Sequence, residues 1–426
     1  MKSHLFISPY FPPMTDAGVK RSVHLVRNLP AFGWRPVVLA SRAVNEPEDF
    51  SLLDAVPRET IVSYGYSGVL RPLLKRLGQT AGSLIRSRAR DDAKSGRDWT
   101  FLTPFDRWIA DTPAGIREGL RLIRQHDLRA IHVSADPWSG LLAGHWLHRL
   151  TGLPLVVDLR DPWSTHPGKI QLYPEISRRW LRTYEERLFR AAARVVLNTE
   201  ASREAYVESY RGRIPEQHFV CIRNAFEREL FLDGEPPKKA SGFTLLYFGT
   251  FRKFVGPEEL LRGFARFVER EGIERGEARL LVVGGLGPEH RARASQLGLD
   301  GYIEVHRPVP FRESLPLLSI ADALALVVEP ACHLQIPGKF YDYLAIGRPI
   351  LAISANAEIN RIIAELGAGL TAGHGDPEDV ADRLATLCRE MRDGRPRQVP
   401  ADALENFTAR EQARLMARVL DEAIAR

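Results

Sequence analysis

Cysteine is scarce in this chain of 426 residues: there are three, Cys221, Cys332 and Cys388, far apart and in no pair spacing. That argues against a disulfide framework and a cysteine-built metal site, and for a reducing cytosol. No apolar run approaches the roughly 18 residues of a membrane-spanning helix. The histidines at 145, 148, 166 and 290 are scattered, with no HExxH-type cluster. They read as surface or loop residues, and no catalytic metal is expected. No GxSxG element or nucleophile triad is present to suggest covalent catalysis. The first loop carries Gly18 alone, not the GxGxxG dinucleotide fingerprint. Glu185 and Glu186 are adjacent on an amphipathic stretch, which suggests solvated carboxylates rather than a hydrolytic pair.

What is present is ordinary in bulk: 44% hydrophobic and 26% charged residues, the balance of a soluble globular protein. The length calls for about two or three domains. The net charge of +6 is partly local. Arg71, Lys75, Arg76, Arg86, Arg88, Arg90, Lys94 and Arg97 oppose only Asp91 and Asp92, with leucines interleaved. This segment, 71–97, suits an anionic lipid surface or anionic acceptor, or else a solvated basic helix. No nucleic-acid motif accompanies it.

The chain alternates strand and helix patterns in two series. His4 to Ser8 reads as a strand, not a secretion signal. A proline-stiffened loop and a helix over Val19 to Phe32 follow, then a strand over Arg35 to Ala40. Thr60 to Ser63, Ala130 to Ser134, Pro154 to Asp158, Arg194 to Leu197 and Phe219 to Ile222 continue the strands, with helices over 114–126, 137–150 and 178–192 between them. Pro236, Pro237, Lys238 and Lys239 mark a linker, after which Phe243 to Phe248 opens the second series. The expected organisation is a first domain over 1–232 with a basic insertion at 64–112, a linker at 233–242, a second domain over 243–405, and a helix over 406–426 returning to the first. Two such α/β halves imply two Rossmann-like, doubly wound domains facing across a cleft, a default site for a small polar ligand.

The second series holds the most pointed stretch, Pro337-Gly338-Lys339-Phe340-Tyr341-Asp342-Tyr343-Leu344-Ala345-Ile346-Gly347-Arg348-Pro349. A helix beginning near Lys339 puts an ammonium at its first turn and Asp342 three residues on. At a strand's carboxyl end the cation and helix-start N–H groups suit a phosphate, and the carboxylate suits a ribose diol. The alternative is an ordinary helix with a solvent-facing Asp. Arg252 and Lys253, after the strand that ends near Gly249, and the glycine loop containing Gly285 complete a set that suits a diphosphate. Gly18 would let a phosphate or sugar approach the backbone, or simply relieve a tight turn. In the first half, Asp158, Arg160 and Asp161 close an apolar strand, either as a site or as a salt-bridged strand end.

The Pro337–Pro349 segment resembles the signature of retaining GT-B glycosyltransferases, the glycosyl transferases group 1 or GT4 family of bacteria. Asp158-Leu159-Arg160-Asp161-Pro162-Trp163 resembles a box of its surface-polysaccharide branch. Tyr10-Phe11-Pro12-Pro13 with Gly18 and Arg21 resembles the family's opening loop, and the matches keep the family's order from residue 5 to about 350. The resemblance implies transfer of a sugar from a UDP-, GDP- or other nucleotide sugar to a glycan, lipid-linked or small-molecule acceptor, with retained configuration and without cofactor, metal or nucleic acid. It implies a cytoplasmic enzyme, peripheral at the inner face of the membrane. Asp342 would hold the donor ribose, Arg252 or Lys253 with Lys339 the phosphates, and Arg160 and Asp161 the reacting sugar. The chain departs from the pattern in three places: Asp342 replaces a Glu, Leu334 occupies the place of the first Glu, with Glu329 five residues earlier, and Arg160 stands where many members have His. A nucleotide-sugar 2-epimerase, or a catalytically weak glycosyltransferase-like subunit, are the competing readings.

Overall fold

The computed structural model describes residues 1–15, 18–42, 48–67, 106–166, 170–231, 241–251, 256–309 and 311–426. The basic segment 71–97, the linker prolines, and Arg252 and Lys253 lie outside the described residues. Two compact units form: residues 1–223 with 409–426, and residues 224–408.

The first unit is a seven-stranded parallel sheet built from β1 (Lys2–Ile7), β2 (Trp34–Leu39), β3 (Ile61–Ser63), β4 (Leu128–Ala135), β5 (Leu155–Leu159), β6 (Arg194–Leu197) and β7 (Phe219–Cys221). Its order is β3-β2-β1-β4-β5-β6-β7. Strand periodicity divides the side chains between two cores. Leu5, Ile7, Ile131 and Val133 point to the face covered by α2 (Thr112–Gln125), α3 (Ser139–Thr151) and α4 (Glu175–Ala191). Phe6, Val38 and Ala130 point to the face covered by α1 (Val19–Asn28). α5 (Glu200–Ser209) joins β6 to β7, and Thr199 caps it by accepting from the Ser202 N–H.

The second unit is a six-stranded parallel sheet, order β10-β9-β8-β11-β12-β13. Its strands are β8 (Phe243–Thr250), β9 (Ala278–Gly285), β10 (Ile303–His306), β11 (Ala323–Val328), β12 (Ile350–Ser354) and β13 (Gly369–Ala372). α6 (Glu258–Arg270), α7 (Pro288–Gln296), α8 (Phe311–Ser319), α9 (Gly338–Ile346), α10 (Ala357–Leu366) and α11 (Pro377–Arg392) complete it. Leu245, Leu280, Val327 and Ile353 form one core with α6 and α11; Leu246, Leu281, Leu326 and Ile350 form the other with α9 and α10. Gly347 in the left-handed conformation ends α9, as glycine permits at little cost.

The chain passes between units earlier than composition suggested. The Phe226 N–H donates to the Phe407 carbonyl at 3.2 Å, and Phe226 packs with Ile336, Phe340 and Leu404. The second unit therefore starts at Asn224, not after 232, and runs to Thr408. Beyond it, α12 (Ala409–Ile424) belongs to the first unit, where Ala413, Met416, Ala417 and Leu420 pack with Leu25, Val26 and Leu29. Their i, i+3, i+4, i+7 spacing is one helical face.

Candidate functional site

Open parallel sheets hold ligands outside the carboxyl ends of their strands, where strand order reverses. In the second unit that point lies between β8 and β11. The two strands pair near their amino ends, Leu245 with Ala323 and Leu246 with Leu324. Further along, the Tyr343 hydroxyl of α9 bridges them, accepting from the Phe248 N–H at 3.0 Å and donating to the Ala325 carbonyl at 3.3 Å. One tyrosine thus fixes α9 over the crevice.

One turn earlier on that helix, the Lys339 ammonium lies 3.4 Å from the Phe248 carbonyl and 4.0 Å from the centroid of the Tyr247 ring. Tyr247 in turn stacks on Phe251 at 3.9 Å. Lys339 is half-buried as a residue, but its charged end is desolvated, and this burial pushes its pKa down to about 7 with no carboxylate among the causes. Pro337 precedes the helix and offers no side-chain cap to the first-turn N–H groups. Asp342 is buried at 4% exposure, so the alternative of a solvent-facing carboxylate does not hold.

The glycines at the ends of β8 and β9 have a packing reason of their own. Gly249 is the penultimate residue of β8 and Gly285 the last of β9, so neither lies in a loop; Gly249 pairs with Gly284, and Thr250 with Gly285. A Cβ on Gly284 would come within 2.2 Å of the Gly249 carbonyl oxygen, and one on Gly285 within 3.0 Å of Thr250. Close approach of β8 and β9 accounts for both. Gly249 itself has φ +126°, and a Cβ there would lie 3.9 Å from Lys339 Nζ.

Leu334 is buried, and Glu329 at the end of β11 faces His374, with 3.4 Å between Oε2 and Nε2. The loop between them and α9 is clamped by Asn356, a residue the sequence reading passed over. Its Nδ2 donates to the carbonyls of His333 and Gln335 at 3.0 Å each, while its Oδ1 caps α10 through the Ile359 N–H. A cap was legible in an Asn before a helix; the clamp was not.

In the first unit strand order reverses between β1 and β4. Arg160 lies there: its N–H donates to the Ala135 carbonyl at 2.6 Å, and its guanidinium pairs with the Asp136 carboxylate and lies 5.7 Å from the Tyr10 ring centroid. The space beside Gly18 is filled by this side chain. A Cβ on Gly18 would fall 1.4 Å from Arg160 Nη1, so the glycine admits the guanidinium. Asp161, next to it, is partly exposed.

Asp158 is not an open site residue. It is fully buried, and Arg21 binds both its oxygens, at 2.9 and 2.8 Å. Burial by itself would raise its carboxyl, but the Arg21 charge brings it down to about 2, aided by His132. Arg21 also donates to the Arg223 carbonyl at 2.9 Å, tying α1 to the end of the first unit's sheet.

Glu185 and Glu186 separate, contrary to the expectation of a solvated pair. Glu186 is paired with Arg190 and Arg213, whereas Glu185 is fully buried. Glu185 accepts from Tyr206 at 3.0 Å, Tyr210 at 2.6 Å, the Ser164 N–H at 3.2 Å and the Ser164 hydroxyl. Tyr206 also accepts from the Trp163 N–H at 2.7 Å. The network pins the segment that follows Arg160 and Asp161. His166, read as a surface or loop histidine, is a buried loop residue. Among the described residues no group of three His, Cys, Asp or Glu side chains could hold a metal ion.

Residues 17–225 match the family described as glycosyl transferase 4-like domain, and residues 242–390 match glycosyl transferases group 1. Over 223 residues the chain is 26% identical to D-inositol 3-phosphate glycosyltransferase of Kribbella flavida, a match covering 48% of this chain and 50% of that one. The chain spans about half the length of such curated relatives. Among solved structures, sucrose-phosphate synthase from Thermosynechococcus elongatus has a TM-score of 0.66 at 16% identity, over 100% of both chains. Anabaena HepE in complex with UDP-glucose has a TM-score of 0.57 at 15% identity, covering 100% of this chain and 98% of that one. Likeness at such identities speaks to the fold, two Rossmann-like domains of GT-B type. With both domain families matched in succession on that fold, the chain belongs to the glycosyltransferases, glycosyl transferase 4-like in its first domain and group 1 in its second.

Proposed function

We propose that this protein transfers a sugar from a nucleotide diphosphate sugar to a hydroxyl acceptor with retention of configuration. The observation that carries the reading is Lys339: a desolvated ammonium at an uncapped helix start, beside the carboxyl end of β8, with no carboxylate shifting its pKa. Such a cation is stabilised by an anion at the helix N-terminus, and a diphosphate fits that description. In this reading Lys339 and the first turn of α9 hold the departing diphosphate. The bond from the anomeric carbon to the phosphate oxygen breaks and the acceptor oxygen bonds to that carbon from the same face. The acceptor proton passes to the departing phosphate. Charge building up on the leaving group meets a fixed cation, which is where electrostatic catalysis gains most.

Asp342 is assigned to the ribose hydroxyls and Arg160 with Asp161 to the sugar or acceptor; Arg252 and Lys253 are assigned to the phosphates. A uridine nucleotide is the first donor to try, because HepE binds UDP-glucose. A glycan or lipid-linked acceptor in surface-polysaccharide synthesis, at the cytoplasmic face of the membrane, suits the basic 71–97 segment.

The test is incubation of the full chain with UDP- and GDP-sugars and a panel of hydroxyl acceptors, resolving transfer, epimerisation and hydrolysis by NMR. Transfer with the donor's anomeric configuration is expected. Epimerised nucleotide sugar formed without acceptor would replace this reading with that of a 2-epimerase. No conversion, with nucleotide still bound, would leave a glycosyltransferase-like binding subunit.

A further inference from the structure

Six large apolar side chains stand exposed among the described residues, and four of them are Trp146, Leu150, Ile176 and Trp180. They form two i, i+4 pairs, one on α3 and one on α4. β4 and β5 are parallel neighbours, so the helices that follow them run the same way. The two helices meet where His145 Nδ1 lies 3.3 Å from the Tyr184 hydroxyl. From the helical rise, Trp146 and Trp180 stand within about two turns of each other along this contact, and Ile176 to Leu150 spans about 20 Å.

Charge accompanies the strip. α4 carries five arginines against three glutamates, of which Glu185 is buried. Arg187 lies seven residues, two helical turns, beyond Trp180 on the same side of α4, and Arg149 lies between Trp146 and Leu150; both are exposed. Ile176 is 79% exposed, so the strip is not a margin of the first unit's core.

We propose that this two-helix face is an interfacial docking surface for an anionic lipid bilayer. Tryptophan and arginine each have an apolar body and a polar end, which lets them sit at a headgroup boundary while isoleucine and leucine enter the acyl region. Among the described residues no helix is long and apolar enough to cross a membrane, so the contact is peripheral. A second copy of the chain is a poorer occupant, since a two-fold contact would set arginines against arginines. The proposal deepens the proposed membrane placement by naming a docking face for it, and it requires neither donor nor acceptor.

The test is co-sedimentation of the full chain with phosphatidylglycerol-rich and with pure phosphatidylcholine vesicles. It is repeated for Ile176→Ser/Trp180→Ser and for Arg149→Glu/Arg187→Glu, with melting temperatures recorded alongside. All variants keep 71–97, so that segment contributes equally. Binding to the anionic vesicles alone is expected, falling about tenfold or more in both double variants while their melting temperatures stay at the wild-type value. Equal partitioning of wild type and variants would overturn the proposal, as would wild-type protein that binds neither vesicle. A wild-type dimer that the Ile176→Ser/Trp180→Ser variant dissociates would overturn it too, and assign the face to a second copy.

Discussion

If an anion belongs beside Lys339, its arrival must restore the lysine's proton. With a pKa of about 7 before binding, Lys339 is about one-tenth protonated at pH 8 and about nine-tenths protonated at pH 6. A diphosphate against the ammonium favours the charged form and returns the pKa towards the ordinary lysine range. Binding of a UDP-sugar should therefore take up about 0.9 proton at pH 8 and about 0.1 at pH 6. A UDP-sugar is preferable to UDP, whose terminal phosphate titrates near pH 6 and would add protons of its own. The assay is titration calorimetry in phosphate and in Tris, whose ionisation enthalpies differ, so that the observed heat separates with buffer in proportion to protons taken up. Affinity should also weaken about tenfold per pH unit above pH 7. Lys339→Arg carries a permanent charge and should bind without proton uptake, while Lys339→Ala should lose about 1.5–3 kcal/mol of binding, the usual worth of a hydrogen bond to a charged group. Heats at pH 8 that do not depend on buffer, or a dependence that survives in Lys339→Arg, would refute the placement of the phosphate. The unliganded fold has the same linkage. The folded pKa lies below the unfolded one, so stability rises with pH from about 7 to about 10.4 and declines as pH falls through that window.

Asp158→Asn should destabilise the first unit by about 3–5 kcal/mol, because Arg21 would stay buried without its counter-charge; chemical denaturation measures it, and a loss under about 1 kcal/mol would contradict the pairing. For the native pair, Asp158's stabilisation is full above about pH 4 and is lost as pH falls through about 2. Burial raises the Glu185 carboxyl, so the fold favours its protonated form, and the favour is lost as pH rises from the ordinary glutamate range through the raised pKa. Glu185→Gln should remove that slope in a melting-temperature series, whereas Glu185→Ala should cost about 3 kcal/mol by stranding three buried hydroxyls. Gly284→Ala should fail to accumulate as folded protein, since the obstacle to its Cβ is backbone; a soluble variant with wild-type melting would refute the close approach of β8 and β9.

Much of the architecture was legible because each parallel strand is short, apolar and followed by a helix of 3.6 period, as with Ile350–Ser354 and Ala357–Leu366. The Pro337–Pro349 segment was legible for local reasons: turn, helix and glycine cap occupy consecutive residues. What escaped depends on partners far apart in the chain. Arg21 and Asp158 are 137 residues apart, and nothing local to either distinguishes a buried ion pair from an open site. Glu185 looks solvated because its neighbours on the helix are arginines, yet the residues that bury it, Tyr206 and Tyr210, come from the next helix. Gly18 and Gly285 illustrate the same limit: a glycine signals close approach, and only the fold tells whether a ligand, a guanidinium or a neighbouring strand does the approaching.

Helix α12 finishes a core that the chain began some four hundred residues earlier. During synthesis the ribosome makes the whole of 224–408 before it reaches Met416 and Leu420, so Leu25, Val26 and Leu29 must wait uncovered while the other unit is being made. The first half is thus the last to be completed, and an interruption of translation after the second unit yields a chain with one finished domain and one bearing a bare apolar groove, the kind of surface chaperones and proteases attend to.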